Sequence, residues 1–502
     1  MNPVGHDAKP VRTRLLAIAL VAFAAVRIAS TFRIYSQTVD EATHVGAGLQ
    51  LLQSHRYKLQ PENPPLPRVI WASLAMATGM RINESVPDFT QQLLSVFGRE
   101  HYRTRLFVVR MGSLPFFLIA CIAVFFAARD AFGERAALLA LFLFTMEPIV
   151  LGYSGLATHD GPATAGVALS LLAVTRWLRK PDLMHSVAVG AAYAFAVLCK
   201  FSCIAFVPAA CAAIWLVRLL HDRRPHWIAE TAKLIAIVAV ITPLLIWAGY
   251  AFTLNAFFDG IKGLMRIEHE GVRSYLLGDV RTHGWWWYFP FAFALKTTLT
   301  FFVLFAIAAW FALRAPDSRW VFLEWTAAAV VMMALCLPSS IDLGIRYVLP
   351  MYVPLSIATA IGIDRLCARA RIAAGILLAA HFCVSLLAHP DYFPYFNALA
   401  GRDPSRYLVD SNLDWGQDIL RLRDTLNKEH VDKVAISVLA IFDYDGQHFP
   451  THDSANPWQP ATGWIAVSDY SYRMTSLENG WRWLETKPYR RIGKSIRLYH
   501  FP

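Results

Sequence analysis

Runs of roughly twenty apolar residues recur along this chain, each ended by a knot of arginines or by a longer polar stretch. Runs of that length predict membrane-spanning helices, since a bilayer crossing takes ~20 residues. They fall at 15–35, 106–128, 136–156, 161–178, 183–199, 201–220, 229–251, 291–313, 320–338, 346–363 and 371–389, about eleven spans. The two on either side of Lys200 are the most closely spaced. Alternating the connecting segments sorts their charge. The N-terminus with Lys9, Arg12 and Arg14, and the segments 129–135, 176–180, 218–224, 314–319 and 365–371, are short and basic. By the positive-inside rule these are cytoplasmic. The opposite set holds the long segments 36–105 and 252–290, the turns near Asp160, Lys200 and Asp342, and the tail from residue 390. An odd number of spans leaves that tail outside. The first span contains Arg27 and no small-residue cleavage site follows it, so it reads as an uncleaved signal anchor.

Two stretches break the pattern. Residues 66–80 are apolar but short and interrupted, which predicts an interfacial amphipathic helix. The tail is soluble in character, with strand-like runs at 406–409, 434–439, 464–467 and 496–499. A helix is predicted between the first two, with Asp414 as N-cap and Gln417 completing a capping box. The fold class expected is an α-helical polytopic membrane protein: a transmembrane domain over 1–389, then a small extracytoplasmic α/β domain over 390–502. No internal repeat is visible.

Composition agrees. Charged residues make up 17% of the chain, against roughly 25% in soluble proteins. The net charge of +11 sits in short loops, where topology control accounts for it and no nucleic-acid partner is needed. The seven cysteines lie almost wholly in apolar spans, which excludes a disulfide framework and a Cys-rich zinc module. Cys199 and Cys203, one helical turn apart, read as small buried thiols.

Candidate chemistry lies at two acidic clusters. Asp40, Glu41 and His44 follow the first span; His159 and Asp160 join the third and fourth. The alternation puts both on the outer face. Carboxylates beside membrane helices are costly unless they act or are well solvated. They predict an enzyme working at the outer surface, the alternative being two solvated loop ends with Asp40 capping a helix.

The residues then match a family. The Asp40-Glu-x-x-His44 pattern, Tyr57 and Asn63-Pro-Pro-Leu66 resemble the GT-C class of membrane glycosyltransferases, in particular the branch of protein O-mannosyltransferases and the lipid A aminoarabinose transferase. Thr158-His-Asp160 resembles the second acidic motif of that branch, and 284–290 with Lys296, then 342–347 with Leu349-Pro350, its later motifs. Asn63 stands where the pattern often has His.

The resemblance implies inverting transfer of a sugar from a polyprenyl-phosphate donor to an acceptor hydroxyl of a lipid, glycan or protein, at the outer face of a bacterial inner membrane. A lipid-linked donor fits a site where nucleotide sugars are absent, and no Gly-rich phosphate loop precedes a helix. On this reading Asp40 is the general base, with Glu41 and Asp160 the other catalytic carboxylates. Lys200, Arg346 and Tyr347 would meet the donor phosphate. His44, Tyr57 and His159 would line the substrate site. Asp40 and Asp160 could jointly hold a divalent metal, Mg²⁺, Mn²⁺ or Ca²⁺, with His44 or His159 beside them tilting the choice towards Zn²⁺ or Mn²⁺; Asp160 merely orienting a positive group is the competing reading.

Trp286, in the aromatic run 285–288, reads as interfacial belting or as a stacking surface for a sugar or prenyl chain. His269, between Glu268 and Glu270, reads as a solvated helix face or a second polar cluster over the site. The acids of 410–418 miss the calcium-loop pattern, because the glycine is one place late and Arg421 replaces the bidentate Glu. The rival functions are transfer of a larger lipid-linked glycan and transport. Transporters usually show repeats and midplane sites, and this chain shows neither.

Overall fold

Each apolar run is occupied by a helix or by two helices meeting at a bend in the computed structural model, which describes residues 10–222, apart from 87, 95 and 99, and 227–502. Lys9 and residues 223–224, used in assigning the basic loops, lie outside the described residues. Among those described, six helical segments are long and apolar enough to cross a membrane: Val11–Thr31, Tyr102–Phe132, Cys203–His221, Trp227–Gly249, Pro316–Cys336 and Ile345–Arg369. Two bent pairs raise this to eight: Glu134–Met146 with Pro148–Ser154, at 69°, and Tyr288–Lys296 with Leu299–Arg314, at 103°. The other three expected spans fall short of that test. Leu183–Cys199 and Arg371–Leu387 have 17 residues each, and Asp160–Arg179 carries Asp160, Arg176 and Arg179. The last is buried along nearly its whole length, packed among other helices, so little of its surface has to be apolar for lipid.

Both bends have local causes. Pro148 disfavours helical backbone at Glu147, which is extended. Thr298 caps the Leu299–Arg314 helix, its hydroxyl accepting from Phe301 N–H. The Glu147 carboxylate accepts from the Thr298 N–H at 3.0 Å and from its hydroxyl at 2.9 Å, so one bend is bonded to the other.

The segment after the first helix is folded. A helix over Val39–Ser54 starts with a capping box between Thr38 and Glu41. The expected 66–80 helix forms over Pro65–Ala77, but Trp71 is fully buried and its indole donates to Ser113 Oγ at 3.1 Å. It packs on the preceding helix through Gly48, where a Cβ would stand 2.4 Å from the Arg68 carbonyl.

The tail carries a five-stranded mixed sheet in the order Thr451–Ser454, Lys433–Ser437, Gly463–Ser468, Ile496–Phe501, Arg490–Ile492. Three of its strands match predicted runs. The 406–409 run is instead a 3₁₀ turn and loop whose Tyr407 carbonyl accepts from Leu277 N–H. The predicted helix runs Ile419–Lys428 with Asp418 as N-cap, because Asp414 and Gln417 are engaged elsewhere, by Tyr470 N–H and Trp415 N–H.

Candidate active site

Four charged side chains converge where helices begin or break. Asp40 and Asp160 lie in the first turns of Val39–Ser54 and Asp160–Arg179, where the N-terminal ends of the helix dipoles favour carboxylates. Lys200 sits in the break between Leu183–Cys199 and Cys203–His221, and Arg346 in the 3₁₀ turn Ile345–Met351. They line a cavity of about 260 Å³ together with His44, His159, Asn63 and Tyr347. Leu264, Ile267, Ile341 and Leu343 form an apolar side of the same cavity.

Arg346 is the hub. Its Nη1 lies 2.7 Å from Asp40 Oδ2 and 3.8 Å from Asp160 Oδ2. Lys200 Nζ lies 2.6 Å from Asp160 Oδ1 and 4.5 Å from the centre of the Tyr347 ring. The Asp160 side chain is 1% exposed and that of Asp40 is 27% exposed, so Asp40 is the carboxylate an incoming molecule can reach. Asp160 Oδ2, Arg346 Nε and His159 Nε2 are buried without a hydrogen-bond partner among the described residues. Buried polar atoms are nearly always paired, and three unpaired in one cavity mark a place for a polar ligand.

The two histidines meet edge to face at 4.5 Å. His159 Nδ1 is 2.7 Å from the Cys199 carbonyl, and His44 Nδ1 is 3.4 Å from Arg68. Burial, then the charges of Arg68, Arg346 and Lys200, hold the His44 imidazole well below its usual pKa, hence neutral.

The other predicted residues are placed elsewhere. Glu41 does not reach the cavity. Its carboxylate is paired with Arg110 through Nε at 2.8 Å and Nη2 at 2.7 Å, both side chains fully buried, and also accepts from Thr38 N–H and Ala157 N–H. Tyr57 stands behind the wall, donating its hydroxyl to the Asn63 carbonyl. His269 is exposed on the Asn255–Glu270 helix, which turns Leu264 and Ile267 to the cavity instead. Its neighbour Glu268 accepts from Ser340 N–H at 2.5 Å. Trp286 is 71% exposed and lines no part of the cavity.

The residues present do not fit a divalent metal. A cation bridging Asp40 and Asp160 would meet the Arg346 guanidinium that already spans them, with the Lys200 ammonium beside it. Among the described residues no three His, Cys, Asp or Glu side chains converge as a metal site.

Reading the sequence missed three contributors. Arg110 interrupts an apolar run, a signal that a buried charge needs a partner. Arg68 follows the Asn-Pro-Pro-Leu stretch and, fully buried, donates to the carbonyls of Leu59 and Gln60. Trp415, in the acidic run of the tail, stacks on Arg346.

Residues 92–247 match the family model described as dolichyl-phosphate-mannose-protein mannosyltransferase. No curated protein sequence matches the chain. Among solved structures, ArnT from Cupriavidus metallidurans bound to undecaprenyl phosphate is 15% identical, with a TM-score of 0.52, covering 96% of this chain and 97% of its own. The apo state of the same protein is 19% identical, with a TM-score of 0.50, covering 78% of this chain and 67% of its own. The chain thus has the GT-C fold, and the likeness read from its motifs, to the mannosyltransferase and aminoarabinose transferase branch of membrane glycosyltransferases, holds both in sequence over residues 92–247 and in fold.

Proposed function

We propose that the chain is an inverting glycosyltransferase that moves a sugar from a polyprenyl-phosphate donor to an acceptor hydroxyl at the outer face of a bacterial inner membrane. The observation that carries this is one cavity holding a reachable carboxylate, Asp40, beside two cations, Arg346 and Lys200. The donor phosphate meets Arg346 and Lys200, with Tyr347 at hand to donate a hydrogen bond. The acceptor hydroxyl approaches Asp40. Its oxygen attacks the anomeric carbon as the bond from that carbon to the phosphate oxygen breaks. The bonding pair leaves with the phosphate, and the hydroxyl proton passes to Asp40. A phosphate leaving group is a weak base, so fixed positive charge serves it better than an acid. Lys200 and Arg346 also hold Asp160 in place behind them, a positioning role. Neutral His44 and His159 line the sugar side without adding charge.

Because Arg346 grips Asp40 directly, the donor phosphate competes for the guanidinium and frees the base. No step passes through a metal. The topology belonging to this reading has eleven crossings, a cytoplasmic N-terminus, a transmembrane unit over 1–389 and the sheet-bearing unit 390–502 outside. The charged Asp160–Arg179 helix crosses as an inner member of the bundle, and the short Arg371–Leu387 helix at its rim.

The test is release of polyprenyl phosphate. Purified protein in liposomes receives a panel of polyprenyl-phospho-sugars with lipid, glycan and peptide acceptors, wild type beside Asp40→Asn. Wild-type release, reduced on the order of 10²-fold or more in the variant, is expected. Equal release by both removes Asp40 as the base. No release from any donor refutes transfer of a single sugar and leaves movement of a larger lipid-linked glycan.

A further inference from the structure

We propose that the tail segment 410–418 is part of the transfer site, with Trp415 and Asn412 as positioning residues that hold Arg346 against Asp40. The inference rests on the reading of Arg346 as the phosphate-binding cation.

Arg346 is underbonded for its burial. A guanidinium has five N–H donors, yet the hydrogen bond that Arg346 makes is from Nη1 to Asp40, while Nε has no partner among the described residues. One hydrogen bond does not fix the plane of the group. The ring of Trp415 does: it is 2% exposed and its centre lies 4.3 Å from Arg346 Cζ. Stacked there, the guanidinium keeps its tilt and can slide only along the face of the ring. That motion would carry Nη1 from Asp40 to a phosphate without exposing the charge to lipid.

The same segment also grips the backbone beside both residues. The Trp415 carbonyl accepts from Val39 N–H at 3.1 Å, next to Asp40. Asn412 Oδ1 accepts from Ile345 N–H at 3.0 Å, next to Arg346. Asp40 and Arg346 are 306 positions apart, and this one stretch of tail bonds to the neighbour of each. It is rigid enough for the task. Gln417 accepts from Trp415 N–H at 2.8 Å and donates to the Leu413 carbonyl at 2.8 Å. Asn412 Nδ2 donates to Tyr288 Oη at 2.9 Å, Tyr153 Oη to the Ser411 carbonyl at 2.6 Å, and Lys296 Nζ to the Asn412 carbonyl. A tail that served only as an outer domain would not need a buried indole under the arginine that Asp40 and Asp160 share.

The experiment uses full-length protein in detergent and two readouts: binding of a polyprenyl phosphate, and release kinetics from the sugar-charged donor. The variants are Trp415→Leu, Trp415→Phe, Arg346→Ala and the double variant Trp415→Leu/Arg346→Ala. Trp415→Leu is expected to weaken polyprenyl-phosphate binding about 10–30-fold, the scale of a desolvated cation–π contact. Trp415→Phe should restore most of it, and Trp415→Leu should add nothing once Arg346 is gone. If Trp415→Leu does not fold, Trp415→Phe carries the test alone, with a smaller loss that again vanishes in the Arg346→Ala background. Full-strength binding by Trp415→Leu, or an equal loss with and without Arg346, overturns the proposal. Binding by wild type without release refutes single-sugar transfer while leaving the positioning role standing. Absence of binding by wild type removes both.

Discussion

Glu41 and Asp40 are adjacent acids, and replacing each by its amide should break different things. Glu41 Oε1 accepts from Arg110 Nε and Ala157 N–H; Oε2 accepts from Arg110 Nη2 and Thr38 N–H. In Glu41→Gln, whichever position takes the new NH₂, two donors face a donor. Arg110 is also left charged in a fully buried place without a carboxylate, holding one amide oxygen and the carbonyls of Phe32, Tyr35 and Ser36. Breaking one side of such a pair costs about 3–5 kcal/mol, a large share of the ~5–15 kcal/mol that keeps a protein folded. Asp40 is half-open and accepts one bond, from Arg346, so Asp40→Asn should cost about 1 kcal/mol or less in stability. The assay is thermal unfolding in detergent beside release kinetics at low temperature. The expected result is crossed: Glu41→Gln loses stability and keeps its rate per folded molecule, while Asp40→Asn keeps stability and loses about 10²–10⁴-fold in kcat. A stable Glu41→Gln protein without activity would refute the reasoning and return Glu41 to the catalytic group.

Other outcomes follow from the same geometry. Arg346→Lys keeps the charge but loses the planar fork and the stacking on Trp415, and kcat should fall on the order of 10²-fold in the release assay, with donor KM raised. Asp414 is buried, and burial, helped by the carboxylates of Asp469 and Asp418, pushes its carboxyl up to about 7. Folding therefore takes up a proton there. That contribution is complete below the ordinary carboxylate value and is lost as pH rises through about 7, so the unfolding temperature should fall across that window and Asp414→Asn should flatten the fall. Gly48→Ala would place a methyl 2.4 Å from the Arg68 carbonyl, forcing two helices apart at a cost of about 1–3 kcal/mol by denaturant or thermal melting.

What the sequence discloses follows from what the bilayer demands. Lipid forces helices into long apolar runs, so every expected span is occupied by helix, and acids are rare enough beside such runs that Asp40 and Asp160 stand out. The sequence does not say which way a helix faces. Consecutive residues point about 100° apart, and that rotation sends Asp40 to the cavity and Glu41 back to Arg110. Trp286 and His269 sit in motifs that look right, yet their own helices and turns carry them outward. Trp415 was hidden for another reason. Its partner is Arg346, in a separate helix mouth, and no local pattern announces a contact closed by the return of the tail. The Asp414/Gln417 pattern misled because Asp414 accepts from Tyr470 N–H, in the first turn of another helix, Asp469–Ser476, and Gln417 from the loop amide of Trp415.

The bond between the two helix bends bears on how the chain is made. Glu147 is fully buried, and the groups that satisfy it belong to Thr298, 151 positions later. During synthesis the first bent helix enters the membrane well before its partner exists. Until the ribosome has added those residues, that carboxyl needs water, a lipid headgroup or an insertion factor beside it. The early helices are thus held in an unfinished arrangement until the second bend arrives. A substitution at Glu147 should therefore show first as a fault of insertion and turnover in the cell, before any effect on a finished molecule is measured.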